Sequence, residues 1–416
     1  MFAASQFDSY ALRAHARGDS VQRILAAAFH AARADEAARR YLKSRALPNA
    51  QRIFAFGLGK ASPAMMTALV ESIRPADMLL IAKHAAPYPQ GAQLVLGNHP
   101  IPGEGSLQAG RAAQKFLSQL TEQDLLVCLI SGGGSALMTA PLIPLSALQA
   151  LTARLLASGA NIEQINTVRR HVDSLKGGGV AQAAHGARIL SLILSDVTSD
   201  ALESIASGPT APDPTTIEDA QRIAAGESLR WRETLKPNDP IFARVENVII
   251  ASNRIALRAA KTAAEQEGFY AKVIEEGVQG EAREVGKRLA QTLKQAEREL
   301  PRPFCLLAGG ETTVTLRGGG TGGRNQETAL SAVNELRGAK DVLFISIATD
   351  GEDGATDAAG AVVSGESAAR AEALGMHAED FLRRNDSYRF FSPLKDLLQP
   401  GSSGTNVNDL MLLFGL

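Results

Sequence analysis

The sequence predicts an α/β protein of two domains, the first built on a doubly wound parallel sheet. Three observations carry this. Continuous apolar runs of strand length alternate with helical stretches, the pattern of strands covered on both faces. The 416 residues exceed what one core ordinarily serves. The 38 glycines gather in clusters, several of them at the ends of apolar runs, which points to built loops rather than low complexity.

The elements follow in order. Residues 7–45, rich in Ala and Arg, are predicted helical. Strands are predicted at 52–57, 77–82, 93–97, 124–130 and 188–195, with helices at 60–73, 103–120 and 144–158. The Pro-, Ser- and Thr-rich stretch 206–216 and "KPNDP" (236–240) are loops, and a boundary near 240 divides domains 1–240 and 241–416. Beyond it, strands are predicted at 245–251, 271–275, 304–309, 313–316, 342–349 and 410–415.

Composition excludes several partners. Hydrophobic residues make up 45%, charged residues 21%, and the formal net charge is −1 without a long basic run, so no nucleic-acid partner is expected. No apolar run of about 18 residues and no apolar signal core is present, which predicts a soluble cytoplasmic protein with no membrane partner. Cys128 and Cys305 sit in apolar runs and read as buried, reduced strand residues.

Candidate chemistry lies at the strand ends. In "FGLGKAS" (56–62), Gly57 and Gly59 permit a tight turn into a helix, and Lys60 adds a compact positive charge. The third glycine of a dinucleotide fingerprint is missing, as is an acidic residue after the second strand, which ends in Lys83 and His84. In "LISGGGSALM" (129–138), Ser131, Gly132, Gly133, Gly134 and Ser135 follow the apolar 124–130 run, where successive amides can form an anion nest. Asp196 follows the 188–195 run, placed to hold Mg²⁺ or to accept a hydroxyl proton. The 3–4 spacing of Asn166, Arg169 and Asp173 predicts one shared helix face, while His171 is read as a structural or surface residue rather than a catalytic one. In the second half, Gly309, Gly310 and Glu311 end a run, and "RGGGTGGRNQE" sets Arg324 and Asn325 at a helix start. There a substrate anion would meet both guanidinium and helix dipole. Asp350 opens an acidic cluster with Glu352, Asp353 and Asp357 that could hold Mg²⁺.

Seven motifs in this order, "GLGKAS", "NHPIPGEGS", "LISGGGSALM", "INTVRRHVDSLKGGGVA", "LSDVTSDALESIASGPTAPDPTT", "GGETTVTLRGGGTGGRNQETAL" and "ATDGEDGATDAAGAVV", resemble the glycerate 2-kinases that join a large N-terminal Rossmann-like domain to a smaller C-terminal MOFRL domain. The resemblance implies a mixed sheet in the second domain and an active site in the cleft between the two. It implies transfer of phosphate from ATP to the 2-hydroxyl of D-glycerate with Mg²⁺ or another divalent cation. By motif, the family's proposed functional Lys and Arg fall on Lys60 and Arg324.

On this reading Lys60, Arg324 and Asp196 are the catalytic candidates. Gly57, Gly59, Ser131–Ser135, Gly309 and Gly310 are candidates for holding ATP. Asn166, Arg169, Glu311 and Asn325 are candidates for binding substrate, and Asp196 and Asp350 for metal. The alternatives are an NAD(P)H-dependent hydroxypyruvate reductase and a non-enzymatic nucleotide- or sugar-phosphate-binding regulator. The sequence leaves the oligomeric state, a homodimer included, open.

Overall fold

The computed structural model describes residues 2–225 and 229–416. The chain forms two compact units, one of Ala34–Ile250 and one of the N-terminal segment to Arg33 with Ala251–Leu416. This revises the division into 1–240 and 241–416 at both ends. The N-terminal helix Gly18–Ala32 buries Val21, Ile24, Leu25, Ala28 and Phe29 and packs on helix Asn253–Gln266. Its surroundings pin it there: Thr405 Oγ1 donates to the Ala32 carbonyl, the Ala11 amide donates to Asp396, and the Tyr10 amide donates to the Lys395 carbonyl. Residues 2–33 thus complete the core of the C-terminal half. The loop at 240 is not the boundary, because the next strand continues the first sheet.

That sheet contains β1 (Ile53–Leu58), β2 (Asp77–Ala82), β3 (Gln93–Leu96), β4 (Leu125–Ile130), β5 (Arg188–Leu194) and β6 (Val245–Ala251). Its order is β3-β2-β1-β4-β5-β6, and the pairs β3–β2, β2–β1, β1–β4 and β4–β5 are parallel. Every residue of β4 is buried, as its unbroken apolar run requires. Helices Ser62–Val70 and Glu104–Leu117 make the crossovers, and Phe54, Phe56 and Phe116 meet in the core. The strand order reverses between β1 and β4, so the loops leaving these two strands border the topological switch point, where doubly wound sheets bind ligands.

The second sheet is mixed, as expected. It contains β7 (Tyr270–Val278), β8 (Phe304–Gly310), β9 (Val342–Ala348), β10 (Gly360–Ser364), β11 (Leu397–Leu398) and β12 (Asp409–Gly415) in the order β11-β10-β9-β12-β8-β7. Only the β7–β8 pair is parallel. Phe304, Phe344, Phe390 and Phe391 fill the core beneath helices Ala282–Glu299 and Arg324–Ala332.

The strand predicted at 313–316 does not form. Thr313 makes a single bridge to Glu281, and side chains take the donors that a ladder would need. The Thr315 amide and hydroxyl go to the Glu281 carboxylate, and the Arg317 and Gly318 amides go to Asn385 Oδ1. The helix expected to carry Asn166, Arg169 and Asp173 on one face runs over Ile162–His171 and stops before Asp173. No described helix is long and apolar enough to cross a membrane.

Candidate active site

The loops after β1 and β4 are tied together. The Lys60 amide donates to the Gly132 carbonyl, the Ser131 amide to the Leu58 carbonyl, and the Ala61 amide to Ser131 Oγ at 3.0 Å. Gly59 and Gly133 have φ of +122° and +86°, in the left-handed region that glycine tolerates. A Cβ on Gly133 would fall 3.3 Å from Lys60 Cε and from His99 Cδ2, and one on Gly132 would fall 1.8 Å from Asp196 Oδ2. Lys60, His99 and Asp196 therefore all border the three-glycine loop. Among the described residues, the amides of Gly132, Gly133, Gly134 and Ser135 have no acceptor, and Lys60, exposed, makes no ion pair. Four successive amides without acceptors thus stand beside a lysine without an ion pair, the donor types that an anion nest uses.

The side chains and bare Cα positions of this loop system also make contacts within the chain. The Ser131 hydroxyl oxygen accepts from the Ala61 amide. Ser135 Oγ lies 2.7 Å from Ser207 Oγ. Gly57 lies within β1, where a Cβ would meet Leu80 at 2.6 Å, and a Cβ on Gly134 would meet Ala206 at 2.6 Å.

Helix Ile162–His171 supplies a second polar group in the same unit. Asn166 Oδ1 and Arg169 Nε are buried without a hydrogen-bond partner. Burial with no compensating carboxylate pulls the Arg169 guanidinium below its ordinary value. Asp173 does not share their face. It is buried, accepts from Thr139 Oγ1 and from the Ala140 and Leu175 amides, and pairs with Lys176 at 3.3 Å. Burial lowers the Lys176 ammonium despite that pair. His171 has the structural role expected of it: its nitrogens meet the Thr167 carbonyl and Glu233. Arg232 Nη2, which sequence reasoning did not single out, is also buried without a partner. No local pattern marks it, because its setting comes from Ser174 and His171, far away in sequence.

The second unit uses its polar residues differently. Arg324 Nε and Nη2 donate to Asp409 at 2.7 and 3.0 Å, and Nη1 donates to Glu311 at 2.7 Å. The helix start beside it is already capped, because the Asp353 carboxylate accepts from the Asn325 and Gln326 amides. A substrate anion would therefore not find that terminus open, contrary to expectation. Asn325 is fully buried and accepts from Ser346 Oγ at 2.7 Å. Gly309 and Gly310 are strand residues, where a Cβ would meet Asn253 at 2.1 Å and the Val278 backbone at 2.2 Å. Their bareness serves packing against the protein's own chain. The glycine-rich loop donates to the Arg384 carbonyl, Asn385 and Asp386. Asp350 is half-buried, and burial raises its carboxyl above the ordinary range.

Among the described residues no three His, Cys, Asp or Glu side chains gather closely enough to hold a metal by themselves. Asp196 and Asp350 belong to different units. Both cysteines are buried free thiols, and burial pushes the Cys128 thiol up to about 12. A cavity of about 490 Å³ beside Arg111 and Ile143 and another of about 360 Å³ beside Arg337 and Glu372 contain none of the candidate residues.

A doubly wound parallel sheet, with a glycine loop and a lysine at its switch point, carried with a mixed-sheet unit, defines a two-unit Rossmann-type α/β protein. Residues 20–237 match the family described as a domain of unknown function, DUF4147, and residues 304–409 match the MOFRL family. The chain is similar to the D-glycerate 2-kinase of Thermotoga maritima, at 38% identity over 379 residues covering 88% of this chain and 91% of that one. It is similar to the glycerate 2-kinase of Pyrococcus horikoshii, at 39% identity over 390 residues covering 87% of each. Its structure is similar to that of the Thermotoga maritima glycerate kinase, with a TM-score of 0.89 and 36% identity, covering 95% of this chain and 98% of that one. The chain belongs to the glycerate 2-kinase family.

Proposed function

We propose that this protein transfers the terminal phosphoryl group of ATP to the 2-hydroxyl of D-glycerate, releasing 2-phosphoglycerate and ADP. The observation that carries the reading is the run of four acceptor-free amides, Gly132–Ser135, beside the unpaired Lys60. Phosphoryl transfer asks for positioning and charge neutralisation more than covalent chemistry. The nest would cradle the phosphate tail, and Lys60 would neutralise the group in transfer. Asn166 and Arg169, whose orphaned acceptor and donor are one helical turn apart, would hold the hydroxy acid. Arg324 is a second anion-binding candidate, with Glu311 as the partner that a substrate carboxylate would replace. Asp196 suits Mg²⁺, which commonly takes one or two carboxylates and completes its shell with phosphate oxygens and water. When bound, the ion would neutralise phosphate charge. A cytoplasmic setting fits the two unpaired thiols.

A nicotinamide-dependent reductase is favoured by nothing at this edge. β2 ends at Ala82 and is followed by Lys83, not by the carboxylate that would hold a ribose.

Phosphorus NMR of a mixture of protein, ATP, Mg²⁺ and D-glycerate tests the reading. The 2-phosphoglycerate resonance is expected, and 3-phosphoglycerate or no transfer would overturn it. Lys60→Ala is expected to lower turnover by about 10²–10³-fold. Near-normal turnover would remove Lys60 from the chemistry, and Arg324→Ala tests Arg324 in the same way.

A further inference from the structure

His99 lies in the segment that leaves β3, and its ring reaches the three-glycine loop. The imidazole Cδ2 and the Lys60 side chain stand against one glycine: a Cβ on Gly133 would lie 3.3 Å from His99 Cδ2, Lys60 Cε and Lys60 Cγ alike. Among the described residues, neither ring nitrogen of His99 has a hydrogen-bond partner. The contrast with His171, held at both nitrogens, separates an imidazole committed to structure from one that is not.

The charged groups around His99 are Lys60 after β1 and Lys83 after β2. Asp196, after β5, borders the neighbouring Gly132, and the segment itself carries no other ionisable side chain before Glu104. Burial first, and then the two lysines, hold the imidazolium below its ordinary value. At neutral pH the ring is uncharged and has a nitrogen free to take a proton. It stands beside the lysine and the loop assigned above to the phosphate tail.

We propose that His99 is the general base of the phosphoryl transfer, accepting the proton of the attacking glycerate hydroxyl. The inference rests on the kinase reading. As the hydroxyl oxygen bonds to the terminal phosphorus of ATP, the bond from that phosphorus to the bridging oxygen breaks and ADP leaves with that oxygen. The hydroxyl proton passes to a ring nitrogen of His99, and solvent removes it after product release. The neighbouring cations favour the neutral ring between turnovers. The same two lysines favour the alkoxide character that builds as the proton leaves.

The test is the pH dependence of kcat/KM for D-glycerate in the wild-type protein and in His99→Gln, at saturating ATP and Mg²⁺, with circular dichroism to verify folding. The wild-type profile is expected to fall on the acid side with an inflection below about 6.5. His99→Gln is expected to lose about 10²–10⁴-fold in kcat, to keep both KM values within about threefold, and to lose the acid limb. In folded His99→Ala, added imidazole is expected to restore part of the rate. The proposal is overturned if His99→Gln retains its kcat within about threefold, if the acid limb survives in it, or if folded His99→Ala is not rescued. If the wild-type protein makes no 2-phosphoglycerate in this assay, the kinase reading itself fails. That result is distinct from a wild-type kinase whose His99 variants are unaffected.

Discussion

Gly59 and Ser131 share a space that leaves no room for a side chain. A Cβ on Gly59 would lie 2.3 Å from the Ser131 hydroxyl and 2.4 Å from its carbonyl oxygen, while that hydroxyl receives the Ala61 amide. The contact locks the loop after β1 to the loop after β4, and so sets where Lys60 stands relative to the amide nest. Gly59→Ala would add this overlap to a φ of +122°. The expected loss is about 2–4 kcal/mol, read as a lower urea midpoint with unchanged slope. An unshifted midpoint would mean that the two loops are not packed as described.

Gly133 tests the nest directly. Its φ of +86° is strained for any β-branched residue, and a side chain there would press on both Lys60 and His99. Gly133→Val is expected to raise the KM for ATP by about tenfold or more in correctly folded protein, because its amide would turn away from the phosphate position. An unchanged KM would reduce the loop to an ordinary turn.

Arg170 and Asp213 form a buried pair at 2.8 Å, with 4% and 0% of their side chains exposed. Burial alone would push the Asp213 carboxyl up, but the Arg170 charge and the Thr215 hydroxyl and amide hold it below the ordinary range. Removing either partner strands the other, so Arg170→Ala or Asp213→Ala is expected to cost about 3–5 kcal/mol. The stabilisation is present above the ordinary carboxyl value of about 3.9 and is lost as pH falls through the lower folded value. Urea midpoints at neutral and acid pH should show the gap between wild type and variant closing only at the acid end.

The strand pattern was legible where apolar runs are long and bounded by polar turns, as in β4 and β9, because burial on both faces leaves little ambiguity. The SGGGS loop stands out in the sequence because three glycines end such a run, and in the structure Gly132 and Gly134 leave room for Asp196 and Ala206. Other features depend on distant partners. Asp353 reads as a metal ligand in its acidic cluster, yet it caps a helix that begins almost thirty residues earlier in the chain. Gly309 and Gly310 resemble a phosphate loop, yet their missing side chains make room for Asn253 and Val278. The N-terminal helix was visible as a helix, but its partner, Asn253–Gln266, lies in the other half of the sequence. His99 lies in the motif "NHPIPGEGS", but nothing local marks its role, since Lys60 and Gly133 become its neighbours only through the parallel order of β3, β2, β1 and β4.

Arg324 sits between two carboxylates of unlike exposure, and pH should separate them. Glu311 is 46% exposed, whereas Asp409 is fully buried and takes two of the three bonds. Burial pushes the Asp409 carboxyl up to about 6, against the Arg324 bonds that pull it down. The pair favours the charged guanidinium, which keeps 28% of its side chain in solvent, but does not offset the desolvation of a carboxylate that has none. A folded value above the unfolded value of about 3.9 means that the folded state holds the proton longer. The charged form of Asp409 therefore costs stability above pH 6, and that cost fades as pH falls toward 4. The expected contribution is a loss of up to about 2–3 kcal/mol as pH rises across this window. Asp409→Asn has no proton to release and should lack that slope, while Glu311→Gln should retain it. Urea midpoints of wild type and both variants at about pH 4.5, 5.5 and 7.0 check this. Parallel curves for wild type and Asp409→Asn would mean that Arg324 holds Asp409 charged throughout.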